Sequence, residues 1–169
     1  MVYRTSTYIA ADWDGDQNAV KQLQYWNNNK YLSLSFTDAH DLMQARDSSL
    51  NCSIKKSLKS RMDASKTFVL IVGNNTNSVR SGACSYCHSY SAWGHYCVKG
   101  YSADNRSYIE YECDKAIEAG IKIVVLYNSS IVDRNKCPSV LRYKGNHVAM
   151  HCWKNGRWEW DYQAIRNAL

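Results

Sequence analysis

Apolar residues in this chain fall into short runs separated by polar punctuation. Thr7-Tyr8-Ile9-Ala10-Ala11 is a compact apolar run that ends in the polar cluster Asp12-Trp13-Asp14-Gly15-Asp16, the pattern of a buried strand followed by a loop. Val20, Leu23 and Trp26 then follow at helical spacing, and Asn27-Asn28-Asn29 stops that helix. Tyr31 to Phe36 reads as a second strand, and Thr37 to Leu50 as a polar loop. Ile54, Leu58 and Met62 repeat every four residues, which predicts an amphipathic helix over Ser53 to Ala64. Thr67 to Gly73 and Ile121 to Tyr127 are apolar on both faces, as strands of a parallel sheet covered on both sides are. Between them, a helix is predicted from Ser107 to Ala119, with Gly120 at its C′ position. A short strand near His147 to His151 and a final helix from Trp158 to Leu169 complete the order. Strands that alternate with helices in this way predict an α/β fold with a doubly wound parallel sheet. Ligands of such sheets bind beyond the carboxyl ends of the strands, here the loops after Ala11, Phe36, Gly73 and Tyr127.

Residues 78–103 break the pattern. They are rich in Ser, Tyr, Gly, Cys and His without a clear period, and read as an insertion in a single domain spanning residues 1–169. The length of 169 residues fits one such domain, and 45% hydrophobic with 21% charged residues is a globular composition. No apolar run approaches the length of a membrane span. The N-terminal MVYRTSTYIAADWDGD lacks a signal peptide's apolar stretch, so a cytoplasmic location is expected. Seven cysteines, an odd number, then argue for reduced thiols rather than a disulfide framework, with Cys52, Cys113, Cys137 and Cys152 as buried small residues. The net charge of +6 suits an anionic ligand. Lys55, Lys56, Lys59, Arg61 and Lys66 concentrate around one helix, which reads as a solvated face rather than a nucleic-acid surface.

One carboxylate stands out. With successive residues of a helix turned by about 100°, Ile109, Cys113, Ala116 and Ile117 share the apolar arc of the third helix, while Tyr111, Asp114 and Glu118 face water. Glu112 falls at the rim of the apolar arc one turn after Tyr108, and Glu110 at the opposite rim. A charge partly removed from water needs either a partner, as in a helix-surface salt bridge, or a task.

The segment Tyr108-Ile109-x-x-Glu112-Cys113 resembles the W-V-x-x-E-I/L segment of TIR domains, with Tyr in place of the usual Trp. TYIAAD resembles the first TIR strand. SFTDAHDLMQARDSS, SIKKSLKSRM-x-x-S-K-TFVLIVG-x-N-T and RNKCPSVLR resemble the TIR-like proteins of bacterial defence, including the Thoeris type, over most of the chain except about 78–103. The resemblance implies a flavodoxin-like fold of about five parallel strands. It also implies cleavage of the nicotinamide–ribose bond of NAD+ to make an ADP-ribose-derived signal, a cyclic ADP-ribose isomer or a conjugate, which activates a separate effector against phage. Glu112 is then the expected catalytic residue, because an anion beside the ribose stabilises an oxocarbenium-like transition state. Tyr108 could stack on a substrate ring. Asp12 and Trp13 would border the nicotinamide end, and Ala11 before them and Asn74, which follows the strand Thr67 to Gly73, are further expected substrate contacts. Asp38, Arg46 and Asp47 lie in the loop expected to close over substrate. Arg46 would meet the diphosphate, unless it only pairs with Asp41 or Asp47 to shape the loop. No cofactor is required, and a homo-oligomer could form on activation. The alternative is a TIR scaffold that acts only by assembling with other proteins.

Other chemistries fare less well. Asp12 to Asp16 would need Gly at 17 and Glu at 23 to be an EF-hand loop, and the chain has Gln17 and Leu23. A phosphatase using Asp12 and Asp14 with magnesium would need an acidic pair just after a later strand, and the loop after Tyr127 offers only Asp133. In the insertion, Cys84-x-x-Cys87 and His95-x-Cys97 could supply four ligands to a structural zinc ion, the other reading being a loop with incidental thiols.

Overall fold

A computed structural model describes residues 6–32, 34 and 50–169 of the chain. In chain order its elements are β1 (Ser6–Ala10), α1 (Gln17–Asn28), α2 (Asn51–Asp63), β2 (Ser65–Val72), β3 (Tyr90–Ser91), β4 (Tyr96–Cys97), α3 (Tyr108–Glu118), β5 (Lys122–Tyr127), β6 (Asn146–Ala149), β7 (His151–Lys154), β8 (Arg157–Trp160) and α4 (Tyr162–Ala168). Among the described residues, four strands form a parallel sheet in the order β1-β2-β5-β6. Side chains of a strand alternate between its faces, and here both faces are apolar. Tyr8, Ala10, Phe68, Leu70, Val72, Val125 and Tyr127 pack with α2 and α3 through Leu58, Met62, Ile109 and Cys113. Ile9, Val69, Ile71, Val124 and Leu126 pack with α1 and α4 through Val20, Leu23, Trp26 and Ile165. The α/β doubly wound architecture expected from the alternation is therefore present.

The expected strand from Tyr31 to Phe36 is described only in part. Tyr31 and Leu32 lie in a turn, and 33 and 35–36 lie outside the described residues. So does the loop carrying Asp38, Asp41, Arg46 and Asp47.

Four expectations need correction. The final helix begins at Tyr162 rather than Trp158, because Trp158 belongs to an antiparallel hairpin of β7 and β8. Asn155 and Gly156 turn that hairpin with φ of 54° and 77°, as a tight hairpin turn requires. Lys55 is buried rather than solvated, since its ammonium donates to the carbonyls of Asp104 and Arg106 at 3.0 and 2.7 Å. Tyr111 is buried as well, with Lys55, Arg106 and Lys115 within 5.6 Å of its ring centre. Of the four cysteines expected inside, Cys113 and Cys137 are buried, whereas Cys52 and Cys152 are half-exposed.

The stretch read as an insertion has structure of its own. A one-turn 3-10 helix at Cys84–Tyr86 precedes the two-residue strands β3 and β4. Its two ends meet where Cys84 N–H donates to the Asp104 carbonyl at 3.0 Å and Asp104 N–H to Cys84 Sγ at 3.2 Å. Helix α3 starts directly after this neck. Ser107 caps it: its hydroxyl accepts from Glu110 N–H at 3.1 Å, and the Glu110 carboxylate accepts from Ser107 N–H at 2.7 Å. Ser107→Ala should therefore cost about 1 kcal/mol, measured by urea unfolding, whereas a loss under about 0.3 kcal/mol would show that the neck alone fixes the start of α3.

Candidate functional site

Helix α3 delivers two acidic side chains to different fates. Glu110 is used in the cap and pairs with Arg80 at 3.0 Å. Partial burial pushes its pKa up, but the Ser107 N–H and Arg80 outweigh that and leave it below the usual carboxylate range. Glu112, expected at the rim of the apolar arc, lies well inside it at 3% exposure. It faces the layer between the sheet and helices α2 and α3. The hydroxyl of Tyr8, a fully buried residue in the middle of β1, donates to Glu112 Oε1. Burial raises the Glu112 pKa to about 8, partly offset by the Tyr8 hydrogen bond and the charge of Arg61 on α2. Glu112 is thus a neutral acid over much of the physiological range, poised to ionise just above it.

Tyr108 precedes Glu112 by one turn and is half-buried. Its hydroxyl donates to Asn51 Oδ1 at 3.1 Å, at the start of α2. One face of its ring is covered by Gly82, where an added Cβ would sit 2.5 Å from the ring. Burial, with Cys87, Cys52 and Cys84 nearby, pushes its phenol up to about 12. Its ring can therefore offer only the face turned from Gly82.

A second polar group gathers at the carboxyl edge of the sheet, on the α1 side. Ala11 is buried, Asp12 half-buried and Trp13 exposed. Asp12 accepts from Asp16 N–H at 2.7 Å through its carbonyl and from Asp14 N–H at 3.3 Å through its side chain. Asp16 starts α1 but makes no side-chain cap. Its carboxylate instead packs on Gly73 at the end of β2, where a Cβ would fall 2.1 Å from it, and accepts from Asn128 Nδ2 at 2.8 Å. Its other oxygen, buried, has no hydrogen-bond partner among the described residues. Burial raises its pKa, against the Asn128 bond, with the nearby Asp12 charge adding to the rise. Asn128 also bonds Asn18 and meets His151 Nε2 at 3.3 Å. Asn74, singled out in the sequence, is exposed and holds Lys136 at 2.7 Å.

The structure thus joins Glu112 to Tyr8 and brings Asp12 near Asp16, while Asp38, Arg46 and Asp47 lie outside the described residues. Tyr8, Asp16, Asn128 and His151 were not singled out as site residues. Asp16 and Asn128 do sit in loops that strand order alone flags, whereas the pairing of Tyr8 with Glu112, 104 residues apart, has no sequence signal.

Three of the four residues considered for zinc do meet. Cys84, Cys87 and Cys97 line a small cavity together with Cys52 of α2. His95 is exposed and contacts Tyr90 Oη at 3.2 Å instead. All seven cysteines are free thiols, and among the described residues no three His, Cys, Asp or Glu side chains are placed to hold a metal ion. Among those residues no helix is long and apolar enough to cross a membrane.

The parallel sheet clad by helices on both faces is the α/β, flavodoxin-like architecture of TIR domains. Residues 8–81 match the family described as Thoeris protein ThsB, TIR-like domain. That stretch runs from β1 through α2 and β2 to the neck of the insertion, and includes Tyr8 but not Glu112. No curated protein matches the chain in sequence.

The acidity of Glu112 has a consequence for stability. Between about 4.5, its ordinary value, and about 8, the folded protein keeps a proton that the unfolded chain has released. Stability should therefore fall as pH rises through that window. Thermal unfolding of the wild type at pH 5, 6, 7 and 8 should show the decline, and Glu112→Gln should flatten it. An equal slope in both proteins would contradict the buried, neutral acid.

Proposed function

We propose that this protein is a TIR-type enzyme of bacterial anti-phage defence that cleaves the nicotinamide–ribose bond of NAD+ and releases an ADP-ribose-derived signal for a separate effector. The observation that carries this reading is Glu112, a carboxyl buried in an apolar layer of a TIR-like fold, held by Tyr8 and with its pKa raised by that burial. The match of residues 8–81 to a Thoeris TIR-like family supports the defence context.

The chemistry asks little of the protein besides that carboxyl. Nicotinamide is attached to ribose as a pyridinium cation, so the C1′–N bond breaks with its electron pair going to nitrogen and a neutral base leaves. No general acid is needed. Positive charge passes to C1′ and the ring oxygen, and an anion beside the sugar stabilises it in a site from which water is excluded. A cationic substrate entering the same layer also favours the ionised form of Glu112. Water, or a nucleophilic atom of the ADP-ribose itself or of a second small molecule, then bonds C1′ and loses a proton. Asp12, Trp13, Asn74 and Tyr108 are the described candidates for substrate contacts, with Asp38, Arg46 and Asp47 in the loop beyond the described residues.

A second reading, a scaffold that works by assembly, draws on the insertion, where Tyr86, Trp93, Tyr96 and Tyr101 are all exposed. Nicotinamide release separates the two. Purified protein incubated with NAD+, with and without a lysate of phage-infected cells, should release nicotinamide. Glu112→Gln should lower the rate on the order of a hundredfold or more. Absence of release in every condition, or equal rates for the two proteins, would favour the scaffold.

A further inference from the structure

We propose that Tyr8 is the positioning residue of Glu112: its phenol, fixed in β1, holds the carboxyl delivered by α3 and controls when that carboxyl becomes an anion. The proposal rests on the reading of Glu112 as the acid that meets the ribose. Tyr8 is fully buried, and its ring stacks on Phe68 of β2 at 5.9 Å between centres. The place of its hydroxyl is therefore set by the sheet. The hydroxyl donates to Glu112 Oε1, so the central sheet reaches directly to the carboxyl of a helix. The hydrogen bond lies among Leu58, Met62, Phe68, Ile109 and Cys113, where low polarity strengthens it.

The charged and titratable groups around Glu112 define what the phenol does. Arg61 reaches it from α2 as a favourable charge, Tyr8 from β1 as a hydrogen-bond donor. Cys113, beside it on α3, is held as a neutral thiol by burial. A phenol O–H donates to a carboxylate better than to a neutral acid, because the anion is the stronger acceptor. Tyr8 therefore works against the burial that keeps Glu112 protonated. Losing the donor makes ionisation harder, and a more acidic phenol makes it easier.

Two variants at position 8 move the titration in opposite directions. Tyr8→Phe keeps the stacked ring and removes the donor. Replacement of Tyr8 by 3-fluorotyrosine keeps the hydroxyl and makes it a stronger donor. The readouts are the 13C carboxyl shift of Glu112 from pH 5 to pH 10 and the pH profile of nicotinamide release. In Tyr8→Phe the midpoint should rise, and at pH 7 release should fall about tenfold for each unit of displacement, recovering above the new midpoint. With fluorotyrosine the midpoint should fall. A tyrosine that serves packing alone would alter thermal stability and leave both midpoints at the wild-type value, which would overturn the proposal. The carboxyl titration does not depend on turnover. Displaced midpoints in a protein that releases no nicotinamide would sink the enzymatic reading while upholding the control of Glu112 by Tyr8.

Discussion

Glu112 is held out of water between a sheet and two helices, where an ionised carboxylate is costly unless something compensates. Most of the local architecture can be understood from that constraint. The capping box of Ser107 and Glu110 sets where α3 begins, and so where Glu112 points. The neck at Cys84 and Asp104 delivers the chain to that cap after a long excursion. Lys55 is fastened to the same neck by two carbonyls and by Asp104 at 3.4 Å, which locks α2 against the start of α3. Arg106 ties Asp104 to Asp114 on the next turn, and with that pairing the Asp104 carboxyl falls to about 2 despite its partial burial. The rigid frame surrounds a carboxyl with two described influences, Tyr8 and Arg61, that favour its charged form.

The two polar centres lie on opposite faces of one sheet. Glu112 and Tyr8 belong to the α2–α3 face, and Asp16, Asn128 and His151 to the carboxyl edge on the α1 side. Asp16 resembles Glu112 in being a buried carboxyl whose pKa is raised, and one oxygen of Asp16 is without a partner among the described residues. Gly73 makes this possible, because any side chain there would occupy the place of the Asp16 carboxylate. The difference is one of company. Asp16 has an amide partner and an acidic neighbour in Asp12, so a proton on it relieves repulsion, whereas Glu112 sits opposite a phenol that rewards its loss.

The sheet was legible because its strands carry their burial in the chain itself. Phe68 to Val72 and Val124 to Tyr127 are apolar at every position, which only a strand covered on both faces demands. The extent of α3 was legible as well, from its apolar spacing and from Gly120 at its C′ position, whereas the Ser107–Glu110 cap was not read there. The hairpin of β7 and β8 escaped because Trp158 and Trp160 also suit a helix, although Asn155-Gly156 carried the turn signal. Tyr111 and Lys55 escaped for a different reason. A helical wheel ranks faces within one helix, and neither residue's burial originates there: Tyr111 is roofed by three cations, and Lys55 is received by carbonyls 49 and 51 residues away. The candidate acid itself was visible as a charge misplaced on the wheel. Its partner was not, because Tyr8 reads as one more apolar position of a strand.

Catalysis by Glu112 requires the substrate's ribose to come to its carboxyl. A crystal structure of the protein with a non-cleavable NAD+ analogue tests this most directly. The nicotinamide ribose hydroxyls should lie within hydrogen-bond distance of the Glu112 carboxyl, with Tyr8 still on Oε1. An analogue bound at the Asp16–Asn128–His151 edge, with Glu112 still enclosed under α3, would contradict it.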